Sequence, residues 1–125
     1  MTATEQKTKV LLVDDSASMR EMVSFTLKSA DYEVFENADG VEALAFAKEN
    51  KVDLVVTDVN MPNMDGINLI KELRQLPDYK FIPILTLTTE GSFEIKQKGK
   101  AAGATGWIVK PFDPDSLLKT IKRVL

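Results

Sequence analysis

An apolar run that ends in an acid and breaks at once into turn formers restricts the possible folds of this chain more than any other feature. Asp53-Leu54-Val55-Val56-Thr57-Asp58 runs directly into Val59-Asn60-Met61-Pro62-Asn63-Met64-Asp65-Gly66. Leu and Val bounded by turn formers spell a strand buried on both faces, and Pro62, Asp65 and Gly66 mark an irregular loop leading into a helix. Asp58 then stands at the strand's C-terminal edge. Lys9-Val10-Leu11-Leu12-Val13 before Asp14-Asp15 repeats the pattern, so two strands bring three carboxylates to one edge. Open parallel α/β sheets bind ligands beyond the carboxyl ends of their strands, where the strand order reverses. In the order 2-1-3-4-5 that place lies between the first and third strands.

The remaining segments alternate in the same way. Ser16 can cap a helix reaching about Ala30, with Met19, Met22, Val23, Thr26, Leu27 and Ala30 at helical spacing. Glu33-Val34-Phe35-Glu36 reads as a short second strand, and Asn37-Ala38-Asp39-Gly40 turns into a helix ending near Asn50. Asp65 or Gly66 opens a third helix, whose Ile67, Leu69, Ile70, Leu73 and Leu76 face mainly inward before Pro77 stops it. Phe81 to Thr88 is predicted to be a buried fourth strand, with Pro83 early in it, where a missing N–H is tolerable. The next helical pattern, from Ser92 to about Ala102, is poor: Gly99 interrupts it, Lys96, Lys98 and Lys100 crowd it, and Phe93 and Ile95 are its main large apolar residues. Trp107-Ile108-Val109 is a short fifth strand ending at Lys110-Pro111. Asp113 and Pro114 then start a final helix with a clean stripe of Leu117, Leu118, Ile121, Val124 and Leu125. The predicted fold is a doubly wound, flavodoxin-like (βα)5 domain of the α/β class, a five-stranded parallel sheet in the order 2-1-3-4-5. Residues 1–8 are expected to be a flexible N-terminal segment and 9–125 the domain.

Composition narrows the chemistry. At 125 residues, 44% hydrophobic and 28% charged, the chain fits one domain that buries roughly two-thirds of its unfolded surface and needs no staple. There is no cysteine and no histidine, which removes disulfides, thiolate nucleophiles, zinc-thiolate and imidazole sites. Carboxylates, hydroxyls, amines and backbone oxygens remain, so any metal should be oxygen-ligated and Mg²⁺-like. A net charge of −3 gives no footprint for nucleic acid. No apolar run approaches the ~18 residues of a membrane span, so a cytoplasmic protein is expected.

Taken singly, each polar strand end has an ordinary explanation. Asp14 and Asp15 could be turn or cap residues, Thr88 a β-branched strand residue and Lys110 a solvated strand end. Together they put acids after strands one and three, a hydroxyl on strand four and an amine after strand five, all at one edge. Three adjacent carboxylates repel, and a divalent cation with Lys110 would bring the site near neutrality. Mg²⁺ commonly takes one or two carboxylates, keeps waters and reaches for a phosphate oxygen, so the natural guest is a phosphoryl group.

Val13-Asp14-Asp15-Ser16, Thr57 to Gly66, Leu87-Thr88-Thr89-Glu90 and Val109-Lys110-Pro111-Phe112, in this order and spacing, resemble a response-regulator receiver domain, specifically the single-domain chemotaxis type that is CheY-like. The resemblance covers nearly the whole chain. It implies that Asp58 accepts the phosphoryl group, that Asp15 ligates Mg²⁺ directly and Asp14 mainly through metal-bound water, and that Asn60 ligates through its backbone carbonyl. Lys110 would pair with phosphoryl oxygens, Thr88 would hydrogen-bond one of them, and the peptide before Pro111 would be cis. The implied partners of such a monomer are a sensor histidine kinase, a downstream target protein for which the flagellar motor switch is one candidate, and a phosphatase. A phosphorelay intermediate or a phosphate sink without motor binding is the alternative. With no output domain in the chain, the signal is expected to leave by contact with another protein.

Two positions depart from the family pattern. Trp107 stands where Tyr or Phe is usual, and is either a switch residue moving with Thr88 or a fixed aromatic packed over the fourth helix. Thr89 replaces a frequent Ala and would narrow phosphate access. Two rivals share part of the pattern. An FMN-binding flavodoxin-like carrier would want a neutral phosphate loop where this chain has Asp14-Asp15-Ser16, and a dehalogenase-like phosphatase would want an acid-x-acid motif after strand one.

Overall fold

The computed structural model describes residues 7–89 and 93–125. Its strands are β1 (Lys9–Val13), β2 (Glu33–Asn37), β3 (Leu54–Asp58), β4 (Ile84–Thr88) and β5 (Gly106–Val109). They alternate with α1 (Ala17–Ser29), α2 (Gly40–Glu49), α3 (Gly66–Arg74), α4 (Phe93–Ala102) and α5 (Pro114–Val124). All pairings are parallel and the sheet order is β2-β1-β3-β4-β5, which is the predicted doubly wound topology.

Period-two alternation divides the apolar residues between two cores. Leu11, Val13, Val55 and Ile84 face α2, α3 and α4, where they meet Ala43, Leu69, Ile70, Leu73 and Ala102. Val10, Leu12, Leu54, Val56, Leu85 and Leu87 face α1 and α5, where they meet Val23, Leu27, Leu117 and Ile121. Capping side chains set the entry of four helices: Ser16 for α1, Asp39 for α2, Asp65 for α3 and Asp113 for α5 each accept a bond from a backbone N–H three residues on.

Two boundaries differ from expectation by more than one residue. The fourth strand starts at Ile84 rather than Phe81. Phe81 is 94% exposed, and the Ile82 carbonyl is taken by the Arg74 guanidinium at 2.7 Å, so the segment before Pro83 turns away from the ladder. The third helix ends at Arg74, and Leu76 caps a short 3-10 turn, Pro77–Tyr79, whose Tyr79 is buried and donates its hydroxyl to the Asn50 carbonyl. The fourth helix is described from Phe93, which is 76% exposed. Its expected start, Ser92, and Glu90 of the third motif lie outside the described residues. Of the segment expected to be flexible, residues 1–6 also lie outside them, and the Thr8 carbonyl accepts the Glu33 N–H at 2.9 Å.

Candidate functional site

Parallel register brings the ends of β1, β3, β4 and β5 to one edge of the sheet. Val13 pairs with Thr57, Asp58 with Leu87 and Thr88 with Val109. Asp14 and Asp15 follow β1 directly, Asp58 is the last residue of β3, Thr88 the last of β4, and Lys110 follows β5. Carboxylate oxygens of Asp14, Asp15 and Asp58 lie within 4.8 Å of one another. Lys110 Nζ reaches Asp14 Oδ2 at 3.0 Å and Asp58 Oδ2 at 3.4 Å.

Asp14 is wholly buried, and each of its polar groups is engaged. Its N–H donates to the Asn37 carbonyl at 3.1 Å, its Oδ1 accepts the Ser16 N–H at 2.9 Å, and its carbonyl accepts from Arg20 Nη1 at 2.7 Å. The turn reading and the charge reading of Asp14 therefore both hold, one oxygen serving each. Asp15 is exposed. The cluster of a buried acid held by Lys110, an open acid and Asp58 is an all-oxygen donor set, which suits a hard cation.

Asp58 is nearly buried, and its Oδ1 accepts the Val59 N–H at 2.8 Å. Loss of solvent pushes its carboxyl above the ordinary range; the nearby Asp14 charge adds to this, while Lys110 and the Val59 N–H oppose it. The chain can turn so tightly after Asp58 because of Gly66: a Cβ there would stand 2.0 Å from the Asp58 carbonyl oxygen. Gly66 N–H in turn closes the loop by donating to the Val59 carbonyl at 2.8 Å. Asn60 is exposed within that loop. Thr88 is buried at the end of β4, and the peptide between Lys110 and Pro111 is cis.

Trp107 lies apart from the charged cluster. It is 44% exposed on β5, beside Phe93, Lys96 and Lys100 around a cavity of about 480 Å³, and Lys96 Nζ sits 5.0 Å from its ring centroid. The ring faces the fourth helix, from which the Lys96 ammonium covers it.

Sequence reasoning overlooked Arg20, whose Nε also pairs with Glu36 at 3.4 Å, and the bond from Asn63 Nδ2 to Asp39 Oδ2 at 2.8 Å. Neither carries a sequence signal, because each is a long-range contact from a residue that looks like ordinary helix or loop polarity.

The "Response regulator receiver domain" family matches residues 10–122. The chain is 38% identical over 117 residues to "Chemotaxis protein CheY-3" of Vibrio cholerae, covering 93% of this chain and 90% of that protein. It is 40% identical over 120 residues to "Probable transcriptional regulator ycf27" of Porphyridium aerugineum, covering 96% of this chain and only 49% of that longer protein. It thus spans about half the length of some relatives and most of others. The crystallised chemotaxis protein CheY4 of Vibrio cholerae superposes with a TM-score of 0.93 at 58% identity, covering 96% of this chain and all of that one. The receiver domain of a Pseudomonas aeruginosa sensor histidine kinase, solved with a magnesium ion in its active-site cleft, superposes with a TM-score of 0.89 at 26% identity, covering 95% of this chain and 98% of that one.

Proposed function

This chain belongs to the response regulator receiver family of two-component systems, and from that premise we propose that it takes a phosphoryl group onto Asp58 from a phosphohistidine of a sensor histidine kinase and signals by altered protein binding. Receiver domains pair with such kinases. The observation that carries the reading is the convergence of three carboxylates and Lys110 at the edge where the ends of β1 and β3 adjoin.

In this reading Asp58 Oδ attacks phosphorus in line, and the bond to the donor imidazole nitrogen breaks, that nitrogen leaving with its electron pair. Lys110, held between Asp14 and Asp58, pairs with the charge on the phosphoryl oxygens, and the Thr88 hydroxyl donates to one of them. Asp15, Asp58 and the Asn60 carbonyl, with Asp14 acting mainly through metal-bound water, would hold Mg²⁺; when bound, it would offset the negative charge gathered in the site. The protein's contribution is positioning and prearranged charge. Water attack on the acyl phosphate returns the carboxylate and free phosphate, so the chain is a phosphoacceptor that catalyses only its own phosphorylation and dephosphorylation.

A chemotaxis role is supported by the likeness to chemotaxis proteins over nearly their whole length. The output surface in this reading is α4 with β5, where Phe93, Trp107 and Val109 are exposed beside Lys96 and Lys100. A cytoplasmic location is part of the proposal; among the described residues no helix is long and apolar enough to cross a membrane.

The test is labelling from acetyl phosphate or a phosphorylated kinase with Mg²⁺. Asp58→Ala should abolish incorporation of base- and hydroxylamine-labile phosphate, and Asp15→Ala should remove the Mg²⁺ dependence with it. Undiminished labelling of Asp58→Ala would sink the assignment. Pull-down with and without beryllofluoride, a mimic of the acyl phosphate, separates the outputs. A flagellar switch protein captured only with the mimic marks motor binding, and captured kinase alone marks a phosphate sink.

A further inference from the structure

The loop that leaves β3 is tied down at a second point, away from its Gly66 base. Asn63 stands midway along it with φ +67, the left-handed region, and its amide Nδ2 donates to Asp39 Oδ2 at 2.8 Å across a gap of twenty-four residues in sequence. The other oxygen of the same carboxylate, Oδ1, accepts the Glu42 N–H at 2.9 Å and so caps α2. One buried carboxylate therefore joins the start of α2 to the middle of the β3–α3 loop. The backbones meet there too: a Cβ on Gly40 would stand 2.6 Å from the Met64 carbonyl oxygen. The Glu42 N–H, and then the Asn63 amide, hold the Asp39 carboxyl below its ordinary range, so the acceptor stays ionised at neutral pH.

Asn60 lies between the Gly66-closed base of this loop and its Asn63 anchor. A backbone carbonyl can serve as a ligand only where the main chain is held, and an exposed loop has few internal contacts to hold it. We propose that Asn63 and Asp39 are positioning residues for Mg²⁺ binding, their hydrogen bond fixing the β3–α3 loop against α2 so that the Asn60 carbonyl faces the Asp15 and Asp58 carboxylates in a set position. This deepens the receiver reading and rests on it.

The competing role for Asn63 is conformational, since Asn tolerates left-handed φ better than most residues. Asn63→Gly separates the two roles, because Gly takes that conformation freely but has no amide to donate. Asp39→Ser supplies the second arm: serine caps a helix about as well as aspartate, yet lacks a second oxygen for Asn63.

Mg²⁺ affinity of the full chain, read by titration calorimetry beside thermal unfolding of the metal-free protein, decides the matter. Outer-shell partners of metal sites cost about 10–100-fold in affinity when removed. The present link is indirect, so Asn63→Gly and Asp39→Ser should each weaken Mg²⁺ binding about tenfold. The double variant should bind no more weakly than either single one, because both remove the same bond. Affinity within about twofold of the unsubstituted chain in both variants, whatever happens to thermal stability, overturns the positioning role and leaves the receiver reading standing. Absence in the unsubstituted chain of Mg²⁺ binding that Asp15→Ala removes would overturn both together.

Discussion

β1 from Val10 onward, β3 and β4 are buried along their length, whereas β5 alternates half-buried Gly106 and Ile108 with exposed Trp107 and Val109. The central strands end in the acids and the buried threonine; the edge strand lies under α4, a helix with Phe93 exposed at its start and only Gly99 and Ala102 buried. The difference is physical before it is functional. Like charges can be held a few ångströms apart only by strands whose packing leaves them nowhere to go, and a surface that must change can be drawn only from elements with little packing to lose. One sheet provides both.

The contrast fails first if the two regions prove equally costly to cut into. Leu12, wholly buried between α1 and α5, should lose about 3 kcal/mol on Leu12→Ala, within the range for core leucines. Val109→Ala, at 41% exposed, should lose less than about 1 kcal/mol. Urea unfolding of the two variants gives the comparison directly, and similar losses would show that the edge is packed as firmly as the middle.

A smaller effect is expected where the loose region is tethered. Arg74 at the end of α3 donates to the carbonyls of Tyr79, Ile82 and, through two nitrogens, Gly103, the residue just after α4. Arg74→Ala leaves these carbonyls short of a donor and should cost about 2 kcal/mol. If α4 is the mobile element, the same variant should speed amide exchange in α4 more than in α2. Equal acceleration in both would place the tether's effect on the whole domain.

How much of this was legible in the sequence follows the same division. Strand ends are marked by where apolar runs stop, and the parallel order then brings Asp14, Asp15, Asp58, Thr88 and Lys110 to one edge with no knowledge of side-chain geometry. The cover of β5 was not legible, because the poor helical pattern around Phe93 and Ile95 does not show which way its large residues face, Phe93 being exposed, and because a cavity has no residue of its own. The ties by Arg20, Arg74 and Asn63 were hidden for a different reason: each depends on which carbonyl or carboxylate a long or turned side chain meets across the fold. Phe81 misled in the opposite sense, its β-propensity overridden by the turn that delivers the Ile82 carbonyl to Arg74.

Asp58 allows a test of opposite sign. Burial raises its carboxyl above the ordinary value, so its contribution to stability is fully present below the unfolded-state value, near about 4, and is lost as pH rises through the raised folded value. At neutral pH the ionised group therefore weighs against folding. Asp58→Asn, which keeps the shape and removes the charge, should be more stable than the unsubstituted chain at pH 7. The gain should vanish in urea titrations as pH falls below about 4. Asp39 should behave in reverse, its stabilisation being lost as pH falls through its lowered value. A loss on Asp58→Asn at pH 7 would mean that pairing with Lys110 outweighs desolvation and that the central site carries no stored repulsion.

The smallest energetic effect and the sharpest spectroscopic one should both belong to Trp107. Removing a 44%-exposed indole whose ring faces the Lys96 ammonium forfeits a surface cation–π contact worth about 0.5–1 kcal/mol, so Trp107→Ala should barely shift the unfolding midpoint. Its fluorescence should shift more. Beryllofluoride with Mg²⁺ adds roughly one negative charge at Asp58 relative to the free carboxylate and, in the proposed mechanism, draws Thr88 and Lys110 toward it. Thr86 pairs with Trp107 and Thr88 with Val109, so movement at the end of β4 acts on the strand that carries the indole, and the neighbouring cavity of about 480 Å³ leaves the ring somewhere to turn. The expected outcome is a fluorescence change with beryllofluoride and Mg²⁺ well beyond that with Mg²⁺ alone, weakened in Thr88→Ala. If indole NMR shifts stay the same in both states while partner affinity still changes, the signal runs through α4 without the ring. The exposed edge would then be a docking surface whose aromatic does not report the switch.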